Sequence, residues 1–358
     1  MRSRVRGFRA FAASAALVSL SAVAHAEAPL IEVQEVADTG SMPKGALLAR
    51  DGSRFFVTNF GNRNGGNITV YDVQSLKKLA TIDVPGIVVE SVLSPDGTTL
   101  YASNFERNEV QAIELKTRRV TRHFPAGLHP KIMVLSVDGA HLFAANWNGQ
   151  SVTEIDTATG KTLHTLPVGL HPRGMALTRE GKLYVANFDG ASIDVFDGPD
   201  YDHSYRLAVC RIPRHLALSP DEKTLYISCY HDSEVHALDV ATELVTHTVK
   251  VGTNPKSLET SRDGRYVFSA DYGEDAHGVS VVDTTDWTAR IFSIPGMDRG
   301  SGVAVTPDGE HALVTGWYDN HVYLVGFEGT GGHPAEALQR IQTWVRHPHY
   351  HPPKTPGE

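Results

Sequence analysis

Apolar residues along this chain come in short runs, broken by Gly, Asp, Asn and Pro, and the runs recur in a fixed order. A first run leads to an Asp-Gly type turn, a second ends in an aromatic, a third alternates apolar with polar, and a fourth follows a polar turn. The turns are ARDG (49–52), SPDG (94–97), SVDG (136–139), TREG (178–181), SPDE (219–222), SRDG (261–264) and TPDG (306–309), spaced by 45, 42, 42, 41, 42 and 45 residues. The second runs read FFVTNF, LYASNF, LFAANW, LYVANF, LYISCY, VFSADY and ALVTGW. Self-similarity at a fixed period has to be read before any local element. Four short runs rich in β-branched residues per period predict four strands per repeat, and the seven repeats predict an all-β, closed seven-bladed propeller. A sandwich does not require seven equivalent copies, and a helical solenoid needs a 3.6-residue periodicity that is absent.

The two ends predict how the ring closes. The last repeat holds three runs, the third being HVYLVGF, while LIEVQEVAD stands unpartnered before the first repeat. That N-terminal strand is expected to complete the last blade, which removes two exposed sheet edges.

The repeated SPDG…LYVAN…V…D…G…P resembles the YVTN-type seven-bladed propellers, a bacterial group that includes exported YncE-like proteins, over roughly residues 30 to 328. The resemblance implies the fold and leaves function open, because propellers serve as binders, scaffolds and enzymes. It also implies lactonase- or lyase-like activity at the central mouth as one alternative, and weak single-strand DNA binding as another.

Outside the repeats the chain changes character. Arg2, Arg4, Arg6 and Arg9, an apolar stretch and AHA at 24–26 read as a signal peptide cleaved after Ala26, so a periplasmic or secreted protein is expected. No later apolar run is long enough to span a bilayer, so no membrane insertion is expected. The propeller is assigned to residues 27–329 and a tail to 330–358. In the tail, Leu338, Ile341 and Val345 share a helical stripe, followed by a proline-rich end in which His347, His349 and His351 alternate. The tail reads as solvated, and those histidines are its candidate metal ligands.

Loss of the four leader arginines takes the formal charge from −8 to −12, which argues against nucleic acid as a partner. Against that acidic background one position stands out. The loop leading into the inner strand carries Lys44, Lys131, Arg173, Arg214 and Lys256 directly after a proline, with Arg299, His129 and His171 beside it. The loop after the second strand carries Phe60, Phe105, Trp147, Phe188, Tyr230, Tyr272 and Trp317. In a propeller these two loops share one face, so bases and aromatics meet at one mouth. The plainer readings are packing between blades for the aromatics and ion pairs with Glu106, Asp189 or Glu274 for the bases. The functional reading is charge-assisted binding of an anionic small molecule or protein partner by a monomer.

Two inner-strand columns are mostly small or aliphatic, as a crowded axis requires, and Glu90, His215 and Glu259 interrupt them. They are the acid–base candidates if the protein is an enzyme, and ion-pair members if it is not. Cys210 and Cys229 flank the same mouth in the fifth repeat, where a disulfide is expected and a metal site with His215 or His231 is the alternative. No Walker loop, dinucleotide fingerprint, haem CxxCH, HExxH or GxSxG sequence occurs, so no cofactor is expected.

Overall fold

The turns fold for local reasons. In SPDG, Ser94 Oγ donates to Asp96 at 2.5 Å, Asp96 accepts the Thr98 N–H at 3.1 Å, and Gly97 closes the turn at φ 69°. Ser136–Asp138, Ser219–Asp221 and Ser261–Asp263 repeat the arrangement. The serine hydroxyls hold all four aspartates below the usual carboxylate range. Glu222 takes the glycine position of the fifth turn with φ 58°, and its carboxylate accepts the Arg179 N–H from the neighbouring repeat at 3.0 Å.

The structure is a computed structural model that describes residues 31–274, 278–307, 309 and 311–327. The signal peptide assignment, the stripe of Leu338, Ile341 and Val345, and the tail histidines His347, His349 and His351 lie outside the described residues. The described chain forms seven four-stranded antiparallel sheets in a ring. Six blades are contiguous, at 43–82, 88–125, 130–167, 172–208, 213–250 and 255–293. The seventh takes three strands from 300–327 and its outermost strand, Ile31–Asp38, from the N-terminal end. No helix occurs among the described residues, so none there is long and apolar enough to cross a membrane.

The core is divided. Seven hydrophobic clusters lie among the described residues, one at each junction between neighbouring blades. Phe56 and Val70 of blade 1 meet Leu100 and Ile113 of blade 2, for example, while Phe55 and Tyr71 on the other side of blade 1 meet Leu313 and Leu324 of blade 7. Alternation along each strand serves both neighbours, since successive side chains point to opposite faces.

Closure is antiparallel. Ile31–Asp38 pairs with His321–Phe327, with Asp38 opposite His321 and a register shift between Val33 and Glu35. Val33 and Val36 pack on the junction of blades 6 and 7, and the Tyr71 hydroxyl donates to the Asp38 carbonyl at 2.6 Å, tying the strand to blade 1. Deleting residues 27–38 strips this strand and opens the His321–Phe327 edge. The expected outcome is a lower Tm and aggregation on heating; a truncated chain that melts like the parent would refute closure by this strand.

Candidate functional site

A single hydrogen bond explains why the two loops of each repeat are written together. The N–H of each mouth aromatic donates to the carbonyl of the residue at or just before the start of the inner strand. Phe60 reaches Met42, Phe105 reaches Ile87, Trp147 reaches His129, Phe188 reaches His171, Tyr230 reaches Ile212, Tyr272 reaches Asn254 and Trp317 reaches Arg299, all within 2.8–3.1 Å. Six of the acceptors, all but Ile87, hold left-handed backbone with φ between 52° and 65°. That conformation is uncommon for residues with a Cβ, and here the hydrogen bond and the following strand fix it. The bend carries the chain inward, so the base one residue into the inner strand is delivered to the mouth.

The bases are not exposed on a rim. Lys44, Arg214 and Lys256 are buried, and Lys131 and Arg173 are half-buried. Above them the seven aromatics, all half-buried, form a broken ring with centroids 5.2–6.1 Å apart at five contacts. Lys131 Nζ fills one gap, 5.6 Å from the Phe105 ring and 3.4 Å from that of Trp147. Arg173 lies between Trp147 and Phe188, Arg214 against Tyr230, and Lys256 between Tyr272 and Trp317. His129 and His171 stack on Phe105 and Trp147, with centroids 4.2 and 4.5 Å apart.

Three acids at the mouth pair with the flanking cations rather than with the five bases. Glu106 takes Arg63, Asp189 takes His171, and Glu274 takes Arg299. Glu90 pairs with Lys44 at 3.0 Å, and no other described carboxylate forms a salt bridge with the five bases. Burial and uncompensated charge lower the pKa values of the bases. Burial, with Arg173, Lys44 and Arg214 nearby, pushes Lys131 down to about 5. Burial takes Lys44 to about 8 despite Glu90, and Arg173 to about 10. Arg214 and Lys256 are also pushed well down by burial and by their cationic neighbours. Cation–π contacts return about 0.5–2 kcal/mol each, less than the several kcal/mol that desolvating a charge costs, so the aromatics alone do not balance the cluster. Arg214 Nε and Nη1 are buried without a hydrogen-bond partner.

The three acid–base candidates do not assemble into a catalytic set. Glu90 is held by Lys44. His215 Nδ1 accepts the Leu258 N–H at 3.2 Å, and burial with Arg214, Lys44 and Arg173 pushes the ring down to about 3. Glu259 has no side-chain partner among the described residues. Desolvation by its neighbours pushes it up to about 7, against a backbone hydrogen bond from Thr260 that lowers it, although the residue keeps solvent exposure. A cavity of about 530 Å³ opens beside the mouth rather than in it, between loops of blades 1 and 2 carrying Arg63, Asp83, Glu106 and Arg107.

Residues 108–325 match the model of the YNCE-like beta-propeller family. The chain belongs to that family. Among curated proteins, this YNCE-like propeller is 31% identical to Antigen Lp49 of Leptospira interrogans over 107 residues, 26% of this chain and 24% of that one. It is 24% identical to 6-phosphogluconolactonase of Yersinia pestis over 181 residues, 48% of this chain and 54% of that one. The chain thus spans about a quarter and about half of these relatives. Among solved structures, Kuenenia stuttgartiensis hydrazine synthase superimposes with a TM-score of 0.70 at 17% identity, covering 81% of this chain and 97% of that one, a likeness of fold alone.

One supporting position varies between the blades of this YNCE-like propeller. Asn59, Asn146 and Asn187 end their second strands against a glycine three residues before the inner strand, so close that a Cβ on Gly127 would lie 2.5 Å from the Asn146 amide. Blade 5 has Cys210 for the glycine and Cys229 for the asparagine, and the two are bonded, with Cα atoms 5.7 Å apart. His231 lies exposed beside Asp232, and it is His236 that approaches the sulfurs. His236 escaped the sequence reading because no loop motif marks its third-strand position. Blade 6 has Asp271, buried and held by Ser269 and Ser280, and burial pushes it up to about 7.

Asp271 gives a test with a definite sign. Folding raises its pKa from about 3.9, so the folded state retains a proton the unfolded state has lost, and stability falls as pH rises through 7. Asp271→Asn installs the residue that blades 1 to 4 carry and removes this cost. Its Tm is expected to exceed the parent's by a few degrees at pH 8, and by less at pH 5. An equal difference at both would show that Asp271 does not carry this cost.

Proposed function

We propose that this propeller binds an anionic ligand at its mouth. The observation that carries the reading is Arg214, two of whose guanidinium nitrogens are buried without a partner inside a cluster of five bases salt-bridged by one carboxylate. An anion supplies the missing acceptors and relieves the repulsion, and charge-assisted hydrogen bonds of this kind are the strong ones. The half-exposed aromatic ring gives a flat part of the ligand a surface to stack on. With the signal peptide read from the sequence, the site would work in the periplasm or outside the cell. A lactonase-like activity has less support: Glu259 is the one candidate without a side-chain partner among the described residues, and neither Glu90 nor His215 is free to work with it.

Calorimetric titration of the full chain with pyrophosphate, citrate and a single-stranded oligonucleotide tests this. One of the small anions is expected to bind, more weakly as salt rises, and the oligonucleotide is not. Arg173→Gln with Arg214→Gln should cost roughly tenfold or more in affinity, since hydrogen bonds to charged groups contribute about 1.5–3 kcal/mol. The Tm should not fall, because the variant removes buried, uncompensated charge. If no small anion binds, or the variant binds as the parent does, a protein-contact scaffold replaces this reading.

The shifted lysines add a second test. At pH 7, Lys131, pushed down to about 5, is neutral, and an anion at the mouth raises its pKa and recruits a proton. Affinity is expected to rise as pH falls toward 5, and the observed heat to depend on the ionisation enthalpy of the buffer. Affinity that is flat between about pH 5.5 and 8 would refute the proton coupling.

A further inference from the structure

The disulfide of blade 5 has an unusual neighbour. In blades 1 to 4 the asparagine ending the second strand donates to a third-strand side chain, Thr69, Gln111, Thr153 or Asp194, at 2.9–3.1 Å. In blade 5 glycine, asparagine and hydrogen-bond acceptor are replaced together, by Cys210, Cys229 and His236. Both sulfurs and a ring nitrogen of His236 lie within 4.8 Å of one another, and all three residues are buried or half-buried. Glu234 accepts from His236 Nε2 at 2.9 Å and is itself held by Lys250 at 2.9 Å. A carboxylate only accepts, so Nε2 carries a proton, and the tautomer that binds a metal through this ring has its lone pair on Nδ1. That Nδ1 is buried and has no partner. A carboxylate that takes one imidazole nitrogen and leaves the other open to a ligand is the arrangement that orients metal-bound histidines.

We infer that Cys210, Cys229 and His236 Nδ1 form a binding site for a thiolate-preferring divalent metal such as Zn²⁺ when the disulfide is reduced, with Glu234 orienting the imidazole. A dithiol reductant donates two electrons, the S–S bond breaks, two thiols form and the dithiol closes to its own disulfide. The metal then displaces two thiol protons and binds two thiolates and Nδ1, leaving one position for water. Tetrahedral geometry asks the sulfurs to separate to roughly 3.8 Å, given metal–sulfur bonds of about 2.3 Å, a shift within reach of side-chain rotation. The cluster adjoins Arg214 and Tyr230 in sequence, so the state of this site bears on one segment of the mouth.

Titration of the full chain with Co²⁺, before and after reduction by a phosphine, tests the site. Reduction is expected to create one Co²⁺ site with an intense near-ultraviolet thiolate-to-cobalt band, and Zn²⁺ should bleach it. The histidine-rich tail offers no thiolate, so binding there gives no such band in either state. His236→Gln and Glu234→Gln keep both cysteines and so the fold. Glu234→Gln should weaken binding on the order of 10–100-fold, and His236→Gln at least as much. Loss of the band in the Cys210→Ser, Cys229→Ser chain supports the assignment. A reduced parent without the band, or a His236→Gln chain that binds as tightly as the parent, would overturn it.

Discussion

Burial between neighbouring blades is the interaction on which the molecule depends. Each blade is one sheet with two apolar faces, and each face finds cover on the next blade rather than within its own. Such a sheet is not stable alone, and a row of them would leave uncovered faces at both ends. The ring removes those ends, and the strand Ile31–Asp38 holds it by completing blade 7 from the opposite end of the chain. The burden on that strand follows from topology: among the described residues it is the one place where sheet hydrogen bonds join distant parts of the sequence.

The same ring creates the charge problem at the mouth. A repeat that puts one base near the axis puts several there, since every inner strand converges on it. Five bases that would each be unremarkable on a surface become mutually repelling and desolvated. Lys131 bears this most plainly, pushed down to about 5. The aromatics brace the cluster through the backbone bond between the two loops, and their cation–π contacts soften the repulsion without cancelling it. An arrangement so poorly compensated within the protein is suited to compensation from outside it.

One structural position shows how the blades come to differ. The contact that braces the lead-in loop is asparagine against glycine in several blades, a disulfide in blade 5 and a buried carboxyl against glycine in blade 6. Each solution satisfies the same turn, yet each brings different chemistry: neutral hydrogen bonding, thiol redox and metal affinity, or a proton that titrates near neutrality. A repeat scaffold gains individuality in this way without changing its backbone.

The seven repeats, their four strands and the closure strand were legible in the sequence, because hydrophobic period, turn residues and unmatched ends are local properties that the chain displays directly. So was the meeting of Lys131 with Trp147, or Arg173 with Phe188, since the order of strands in a blade puts both loops on one face. What the sequence could not display was depth and partnership. Whether Arg214 is exposed, whether Glu90 chooses Lys44 over Lys256 or Arg214, and whether His215 donates or accepts depend on distances of a few ångströms between residues some 43 to 46 positions apart. His236 makes the point most clearly: nothing in its strand marks it, and only the packing of blade 5 sets its ring near two sulfurs and leaves its Nδ1 unpaired. Periodicity is written along the chain, whereas burial and the choice among like-charged partners arise only when the ring closes and the strands share one axis.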